Sequence, residues 1–364
     1  MSIFLFFVIL IALVVVHEFG HFAVAKWAGI RVDEFGFGFP PKLWGKRLGE
    51  TEYSFNALPF GGFVRIFGEN PEEVEAAGGS PERSFTHKPK TIQTLVLVAG
   101  VAMNMLFAWF LLSVGYTIGM PVPGDYEGLG EVRDRHTAIM RVVEHSPAQV
   151  AGLASGDTIA AVSSKGEKPE ALTPESIQTF IAAHQDDSIS FTYEREGAEG
   201  EVSIKPQAGL VEGKAVVGIE MDEIGTAVVP FYLAPLEGAR LTWNATQAIT
   251  TGLFSFFKNL FMGAASFSEV TGPVGLIGIV GSAASFGLVP LLSLIALISI
   301  NLAIINLIPF PALDGGRLLF VVIEAIKGSP IRPQIAGTAN MIGFALLIVL
   351  MLLVTYHDIV RLVI

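Results

Sequence analysis

The amino-acid sequence predicts a multi-pass α-helical membrane protein with four transmembrane helices, a membrane-associated β-hairpin or sheet region and an inserted β-rich domain. Of its 364 residues, 51% are hydrophobic and only 16% are charged, whereas soluble proteins contain about 25% charged residues. Uncharged runs long enough to cross a bilayer recur along the chain. The acidic residues are concentrated in one middle segment, which indicates a single water-exposed insert.

The charge distribution and the absence of cysteine exclude several classes of function. Residues 121–286 contain 10 Lys and Arg against 21 Asp and Glu, a net of −11, which equals the net charge of the whole chain. No basic stripe is present, so we expect no nucleic-acid partner. The lack of cysteine excludes disulfides, thiolate zinc sites and cysteine nucleophiles. A transition-metal site must therefore use His, Asp or Glu.

The first predicted span, about residues 2–24, contains an H-E-x-x-H sequence from His17 to His21. On a helix the two histidines lie one turn apart on one face and can bind the same metal ion, with Glu18 beside them as a base for water at that metal. The fourteen uncharged residues before His17 cover roughly 21 Å of helix. The box is therefore expected inside the bilayer, where ionisable groups are costly and usually functional.

Residues 30–70 alternate short apolar runs with Gly and Pro, and predict two or three β-strands. Their many phenylalanines favour a segment that dips into the membrane interface, and a small cytosolic hairpin is the alternative. A polar linker is expected at 71–90 and a second span at about 91–119, which completes an N-terminal catalytic half, residues 1–120. Asn104 lies in this span, either as an interhelical hydrogen-bonding residue or near the site.

The remaining chain predicts a soluble insert and a second membrane half. Short β-like runs and two helical stretches place a compact β-rich domain at 124–229. Residues 231–262 predict an amphipathic helix on the membrane surface. The C-terminal catalytic half, residues 263–364, contains a third span at about 288–310 and a fourth at about 338–360.

Positive charges near the spans predict the orientation in the membrane. The loop that contains Lys26, Arg31 and Lys42 and the loop that contains Lys327 and Arg332 are expected on the cytoplasmic side. The acidic insert is then extracytoplasmic, and so are both termini.

A catalytic zinc takes three protein ligands and one water, so the box lacks one ligand. Asp314 follows the third span at the predicted depth of His21, and the turn-forming residues around it would break the helix there. It is the best third ligand, with a helix N-cap as the alternative role. His357 and Asp358 are expected at the opposite interface as ordinary interfacial polar residues.

These motifs resemble the site-2 protease family of metallopeptidases (peptidase M50), in the bacterial group of regulators of sigma-E protease, over nearly the whole chain. The resemblance is carried by His17-Glu18-Phe19-Gly20-His21 and by Asn306-x-x-Pro309-x-Pro311-x-Leu313-Asp314-Gly315. It also includes Gly36-Phe37-Gly38, Leu58-Pro59-Phe60-Gly61-Gly62-Phe63 and Gly272-Pro273-Val274-Gly275. Gly100-Val101 departs from the Gly-Pro common among members.

The insert resembles a PDZ domain through the segment from Ser146 to Ile159. Familiar proteobacterial members carry two such domains, and this chain has room for one. A PDZ domain can bind peptide C-termini at a sheet edge, and the residues expected at that groove are Ala151, Gly152, Leu153, Gly156 and Asp157.

The resemblance implies an intramembrane zinc endopeptidase of the bacterial inner membrane with one Zn²⁺ per chain. His17, His21 and Asp314 would bind zinc, and Glu18 would act as general base. Asn306, with Pro309 and Pro311, would hold substrate or the oxyanion. An unwound substrate helix would pair as a strand near Leu58, Gly61, Gly62 and Phe63. The expected substrates are single-span membrane proteins already trimmed outside, such as anti-sigma factors or signal-peptide remnants.

Two other functions are compatible with parts of the sequence. A catalytically silent membrane scaffold would capture peptides through its PDZ-like domain, but such proteins usually lose a ligand or the glutamate. An ion transporter would need further polar residues along its spans, which are too apolar here for a continuous path.

Overall fold

A computed structural model describes residues 1–69, 81–195, 197–211, 214–263 and 271–363. Within these residues the chain forms two compact units, Met1–Ser113 with Gly238–Ile364, and Val114–Glu237. The first half of the predicted 71–90 linker, residues 71–80, lies outside the described residues. Its described part contains two short 3₁₀ helices, Pro81–Arg83 and Phe85–His87.

The α-helices are described in chain order: α1 (Ser2–Trp27), α2 (Lys90–Ile118), α3 (Pro147–Ala151), α4 (Pro174–Ala183), α5 (Ala234–Phe261), α6 (Pro273–Ser285), α7 (Leu288–Leu307), α8 (Asp314–Lys327) and α9 (Pro333–Val363). In the described part of the chain, four helices are long and apolar enough to cross a membrane: α1, α2, α7 and α9. The predicted spans match these helices to within a few residues. The membrane-protein class with an added β region is therefore confirmed.

The strands follow the same numbering: β1 (Val32–Leu48), β2 (Thr51–Ile66), β3 (Met120–Pro123), β4 (Glu131–Val142), β5 (Thr158–Ser163), β6 (Ile189–Arg195), β7 (Ala198–Ile204), β8 (Gln207–Val211), β9 (Lys214–Val216) and β10 (Ile219–Val228). They form a β1–β2 sheet in the first unit, and a six-stranded sheet of order β3-β10-β4-β5-β6-β7 with a separate β8–β9 pair in the second.

Close backbone contact holds α1 against α2 in the first unit. A Cβ atom on Gly20 would lie 2.3 Å from the carbonyl oxygen of Ala99, so only glycine permits this approach. Small residues are the usual means by which membrane helices pack, because the lipid offers no hydrophobic drive for helix association. Gly20 lies between Glu18 and His21, so the same contact places the H-E-x-x-H turn beside α2.

Strands β1 and β2 are long and each contributes two rows to their sheet. Phe35 pairs with both Val64 and Tyr53, while residues 42–48 pair with residues 51–56. The rows therefore run in the order 62–65, 34–37, 52–55, 42–48. Among the described residues, the 62–65 row has a strand partner on one side only, which makes it an edge.

Asp358 near the end of α9 is buried, with 6% of its surface exposed. Its two carboxylate oxygens accept hydrogen bonds from the backbone N–H groups of Gly272 at 3.0 Å and Gly275 at 2.8 Å. These N–H groups belong to the start of α6, where the helix has unsatisfied donors and a partial positive charge. Asp358 therefore caps a neighbouring helix, which the sequence did not indicate, and its position at the membrane interface stays a prediction.

The second unit has a core between its six-stranded sheet and the two short helices α3 and α4. Its fully buried members include Ile139, Ile177, Ile189 and Phe191. Ser146 is the N-cap of α3, and its hydroxyl accepts a hydrogen bond from the N–H of Gln149. Gly152, in the left-handed conformation, is the C-cap. These are the usual start and stop signals of a helix.

Candidate metal centre

Three side chains from α1 and α8 converge on one point. His17 Nε2 lies 3.0 Å from Asp314 Oδ2 and 3.2 Å from His21 Nε2, and His21 Nε2 lies 3.2 Å from the same aspartate oxygen. Both histidines are buried. Within the described residues, this is the group of His, Asp and Glu side chains whose spacing suits a metal ion.

The triangle formed by these three atoms fits a tetrahedral zinc ion. Zinc bonds to His nitrogen and carboxylate oxygen are about 2.0–2.1 Å, so the edges of its coordination tetrahedron are about 3.3 Å. The observed separations of 3.0–3.2 Å are close to this value. Two imidazoles and one carboxylate leave the fourth position of such an ion open, as catalytic zinc requires.

The outer nitrogens of both histidine rings also have partners. His21 Nδ1 lies 2.8 Å from the carbonyl oxygen of Val96, and His17 Nδ1 lies 3.2 Å from the side-chain amide of Asn104. Both partners belong to α2. Such outer contacts set ring orientation in metal sites, and they turn both Nε2 atoms toward Asp314.

Gly100 provides the space in α2 that the rings occupy. A Cβ atom there would lie 2.3 Å from His21 Nε2 and 2.8 Å from His17 Cε1. The sequence did not indicate a role for Gly100 or for the Val96 carbonyl. A glycine one turn before Asn104, inside an otherwise apolar span, is the signal that could have indicated close packing at this level.

Asp314 is presented by a turn between α7 and α8. The residue before it, Leu313, is the N-cap of α8, so the alternative role of Asp314 as N-cap is not observed. In the turn, Ala312 has a φ of 77° and its N–H donates to Asn340 Oδ1 at 3.2 Å. Helix α9 therefore supports the turn through Asn340, a contact that the sequence did not indicate.

The environment of Asp314 favours its ionised form. Burial would raise the pKa of this carboxyl, but hydrogen bonds and charge interactions with His17 and His21 outweigh burial and hold the pKa below its ordinary value. The carboxylate is thus in the state that binds a metal ion.

Glu18 lies beside the metal ligands and against the sheet. It interacts electrostatically with His21, His17, Asp314 and Arg317, and a Cβ atom on Gly62 would lie 3.2 Å from Glu18 Cγ and 2.8 Å from Val14 Cγ1. Glu18 makes no hydrogen bond to another described residue, which leaves its carboxylate available. Gly62 belongs to the 62–65 row, so this edge of the sheet packs directly beside Glu18.

The other candidate residues of the N-x-x-P-x-P-x-L-D-G motif lie near Asp314 in the chain. Asn306 is in the last turn of α7 and is half-buried, and no described residue hydrogen-bonds to its side chain. Pro309 is exposed and Pro311 is half-buried. A Cβ atom on Gly343 would meet the Pro311 carbonyl oxygen at 2.3 Å, so α9 packs tightly against this part of the motif.

The residues expected to pair with a substrate strand lie on β2. Gly62 and Phe63 pair with Phe37 and Gly36 of β1, and Leu58 pairs with Phe39. Gly61 has a φ of 87°, a conformation that favours glycine. The side chain of Leu58 lies outside the described part of the chain.

In the second unit, the residues expected at a peptide groove surround the end of α3. Gly152 and Gly156 have φ values of 94° and 93°, and Leu153 is buried in the core. Asp157 is fully buried and accepts hydrogen bonds from Arg195 Nε at 2.6 Å and from the N–H of Ala154 at 2.8 Å. Leu153 and Asp157 therefore support this loop from inside, and the groove assignment stays a prediction.

Comparisons with known proteins agree with this donor set. Residues 5–350 match the model of peptidase family M50. The zinc metalloprotease RasP of Geobacillus kaustophilus is 31% identical over 98% of this chain and 97% of its own. A putative zinc metalloprotease of Clostridium acetobutylicum is 32% identical over 96% and 94% of the two chains.

The regulator of sigma-W protease RasP of Bacillus subtilis is 29% identical over 98% of both chains. The family match covers α1, which contains both histidines, and the turn that contains Asp314. With a His-His-Asp set of two buried histidines and a half-buried aspartate, whose spacing suits zinc, the chain belongs to peptidase family M50 and is a zinc metalloprotease of the site-2 protease type.

Proposed function

We propose that this protein is an intramembrane zinc endopeptidase that cleaves single-span membrane proteins after their ectodomains have been trimmed. The proposal rests on the convergence of His17, His21 and Asp314. The two histidines lie on α1, a helix that is long and apolar enough to span a membrane. The B. subtilis relative is a regulator of sigma-W protease, which favours anti-sigma-factor-like substrates. Signal-peptide remnants are the second substrate class.

In this proposal His17, His21 and Asp314 hold the zinc ion. Zinc, when bound, acts as a Lewis acid that acidifies water and polarises a carbonyl group. Glu18 accepts the proton of the attacking water and later donates it to the leaving amine. The amide of Asn306 donates a hydrogen bond to the substrate carbonyl oxygen as negative charge develops there.

The sheet edge at residues 62–65 is proposed to bind the substrate as an added strand. A helical peptide bond is shielded by its own hydrogen bonds and side chains, so the substrate must unwind before attack. The free edge supplies backbone partners for an extended segment. Since Gly62 packs against Glu18, a strand paired along this row would run beside the general base.

The second unit is proposed to be a PDZ-like domain on the extracytoplasmic side, with the metal centre toward the cytoplasm of a bacterial inner membrane. The positive charges in the β1 region and in the α8–α9 loop support this orientation. A PDZ-like domain outside could bind the new C-terminus left by the first cleavage, or exclude substrates whose ectodomains are still large.

The test uses purified full-length protein in liposomes with a model single-span substrate. Glu18→Gln keeps the shape of the side chain but removes its basicity, so we expect at least a roughly 100-fold lower cleavage rate with the zinc content unchanged. Glu170→Gln, at an exposed carboxylate, is the matched control. Wild-type cleavage by Glu18→Gln would refute the role of Glu18 as general base, whereas no cleavage by the unmodified protein would refute the protease proposal and favour the peptide-capturing scaffold.

The strand-pairing step has its own test. Gly62→Val places a branched side chain where a Cβ atom already meets Val14 at 2.8 Å, so the 62–65 row must move away from α1. We expect slower cleavage with normal zinc content. Gly252→Ala is the control, because a Cβ atom there meets nothing within 4 Å. An unchanged cleavage rate in Gly62→Val would contradict substrate pairing at this row.

A further inference from the structure

We propose that Asn104 is a positioning residue of the metal centre: its side-chain oxygen accepts a hydrogen bond from Nδ1–H of His17 and fixes that ring with Nε2 toward the metal. The inference rests on the proposed ligand set of His17, His21 and Asp314. It assigns a role in metal binding to a residue of α2, a helix that contributes no ligand.

The first support is the position of Asn104. Its side chain is fully buried, and its amide nitrogen, Nδ2, lies 3.2 Å from His17 Nδ1. A buried polar side chain without a hydrogen-bond partner is costly. The amide oxygen of Asn104 is the buried side-chain atom that has no such partner among the described residues, so it is available to accept a hydrogen bond.

The second support concerns which ring nitrogen of His17 is protonated. Nε2 faces Asp314 at 3.0 Å and must be unprotonated to bind a metal ion. The single proton of the neutral ring is then on Nδ1, which becomes a donor. The group facing it must therefore be an acceptor. The two ends of an amide are nearly equal in size, and rotating the Asn104 amide by half a turn presents its oxygen to Nδ1.

The third support is the parallel arrangement at His21. Its Nδ1 lies 2.8 Å from the carbonyl oxygen of Val96, which can only accept. With Asn104 presenting oxygen, both rings donate from Nδ1 to α2 and present Nε2 to the metal. Val96 and Asn104 lie eight residues apart on the same helix, about two turns, and therefore on one face.

Asn104 is itself held in place through its backbone. The hydroxyl of Ser299 on α7 donates to the carbonyl oxygen of Asn104 at 2.8 Å, and Ser299 is fully buried. This contact anchors the α2 backbone but does not involve the amide.

The test measures the zinc affinity of purified full-length protein in detergent by competition with a chelator. Asn104→Leu keeps the branching and the number of side-chain heavy atoms but has no acceptor, and we expect zinc affinity to fall by about 10–100-fold. Asn104→Asp supplies an acceptor and should restore affinity to within a few-fold of wild type. Asn301→Leu, the same change at an exposed amide of α7 whose side chain donates to the carbonyl oxygen of Leu297, is the matched control and should leave it unchanged. The visible spectrum of the Co²⁺-substituted protein should change in Asn104→Leu and not in Asn104→Asp.

Wild-type zinc affinity in Asn104→Leu, or an equal loss in Asn104→Leu and Asn104→Asp, would overturn the proposal. If Asn104→Leu does not yield folded protein, Asn104→Ala provides the same comparison with Asn104→Asp. His17→Ala separates this proposal from the one on which it depends. Zinc retained by His17→Ala would refute the ligand set, whereas zinc lost there but kept in Asn104→Leu refutes only the positioning role.

Discussion

Asp314 and Asp358 are both aspartates at the ends of membrane-associated helices, yet they have opposite roles. Asp358 accepts two backbone hydrogen bonds from the start of α6, so both its oxygens are used within the fold. Asp314 directs one oxygen to two ring nitrogens that can themselves bind a metal. The chemistry of the partner, more than burial or charge, distinguishes a structural carboxylate from a metal ligand.

If the two aspartates have these different roles, the largest loss of zinc affinity is expected from a substitution at Asp314. Asp314→Asn keeps the shape and the hydrogen-bonding capacity of the side chain but removes the anionic ligand. Zinc affinity should fall by more than the roughly 100-fold typical of losing an outer-shell partner, and cleavage should fall with it. Metal analysis after dialysis measures the loss. Asp358→Asn should keep its zinc, and loss of zinc from both variants would remove the distinction between the two aspartates.

Gly100→Ala should disturb the metal centre although it replaces none of the three proposed ligands. The added methyl group would lie 2.3 Å from His21 Nε2, so the ring must move from its place. We expect at least about tenfold weaker zinc binding with α2 still helical. Gly278→Ala, where a Cβ atom has open space, is the control, and equal zinc binding by the two variants would show that the rings tolerate the displacement.

Asp358→Ala should reduce stability while leaving the metal centre intact. Two buried N–H groups at the start of α6 lose their acceptor, which costs about 2 kcal/mol and lowers the melting temperature by a few degrees. Thermal unfolding in detergent measures this. The neighbouring His357→Gln should have little effect. A loss of zinc at unchanged melting temperature would contradict the structural role of Asp358.

The sequence was sufficient to single out the three side chains that converge in the structure, because each residue is chemically conspicuous. His17, His21 and Asp314 are ionisable groups in or beside apolar segments, and few others were available at that depth. Val96, Gly100 and Asn340 could not be assigned in the same way. Val96 contributes a backbone carbonyl, Gly100 leaves space for the histidine rings, and Asn340 accepts a hydrogen bond from the turn before α8. These roles depend on which helices are neighbours in the fold.

The sequence likewise predicts some elements of the fold and not others. The four long apolar helices are evident from length and hydropathy alone. Helix α6 was not predicted, because Gly275, Gly278 and Gly281 disfavour a helix in water. In the protein one of these glycines permits close packing, since a Cβ atom on Gly281 would meet Ser2 Oγ at 2.7 Å. The capping role of Asp358 was missed for the same reason, because its partner is a helix that the sequence did not reveal.

The metal ligands also come from opposite ends of the polypeptide, since His17 and Asp314 are separated by 297 positions. A zinc ion held by both is a cross-link that closes a very long loop, and such a link removes conformational freedom from the unfolded chain. Metal binding should therefore be coupled to the docking of α8 against α1. Chelation should consequently expose the turn before α8 to proteolysis well before the rest of the chain unfolds.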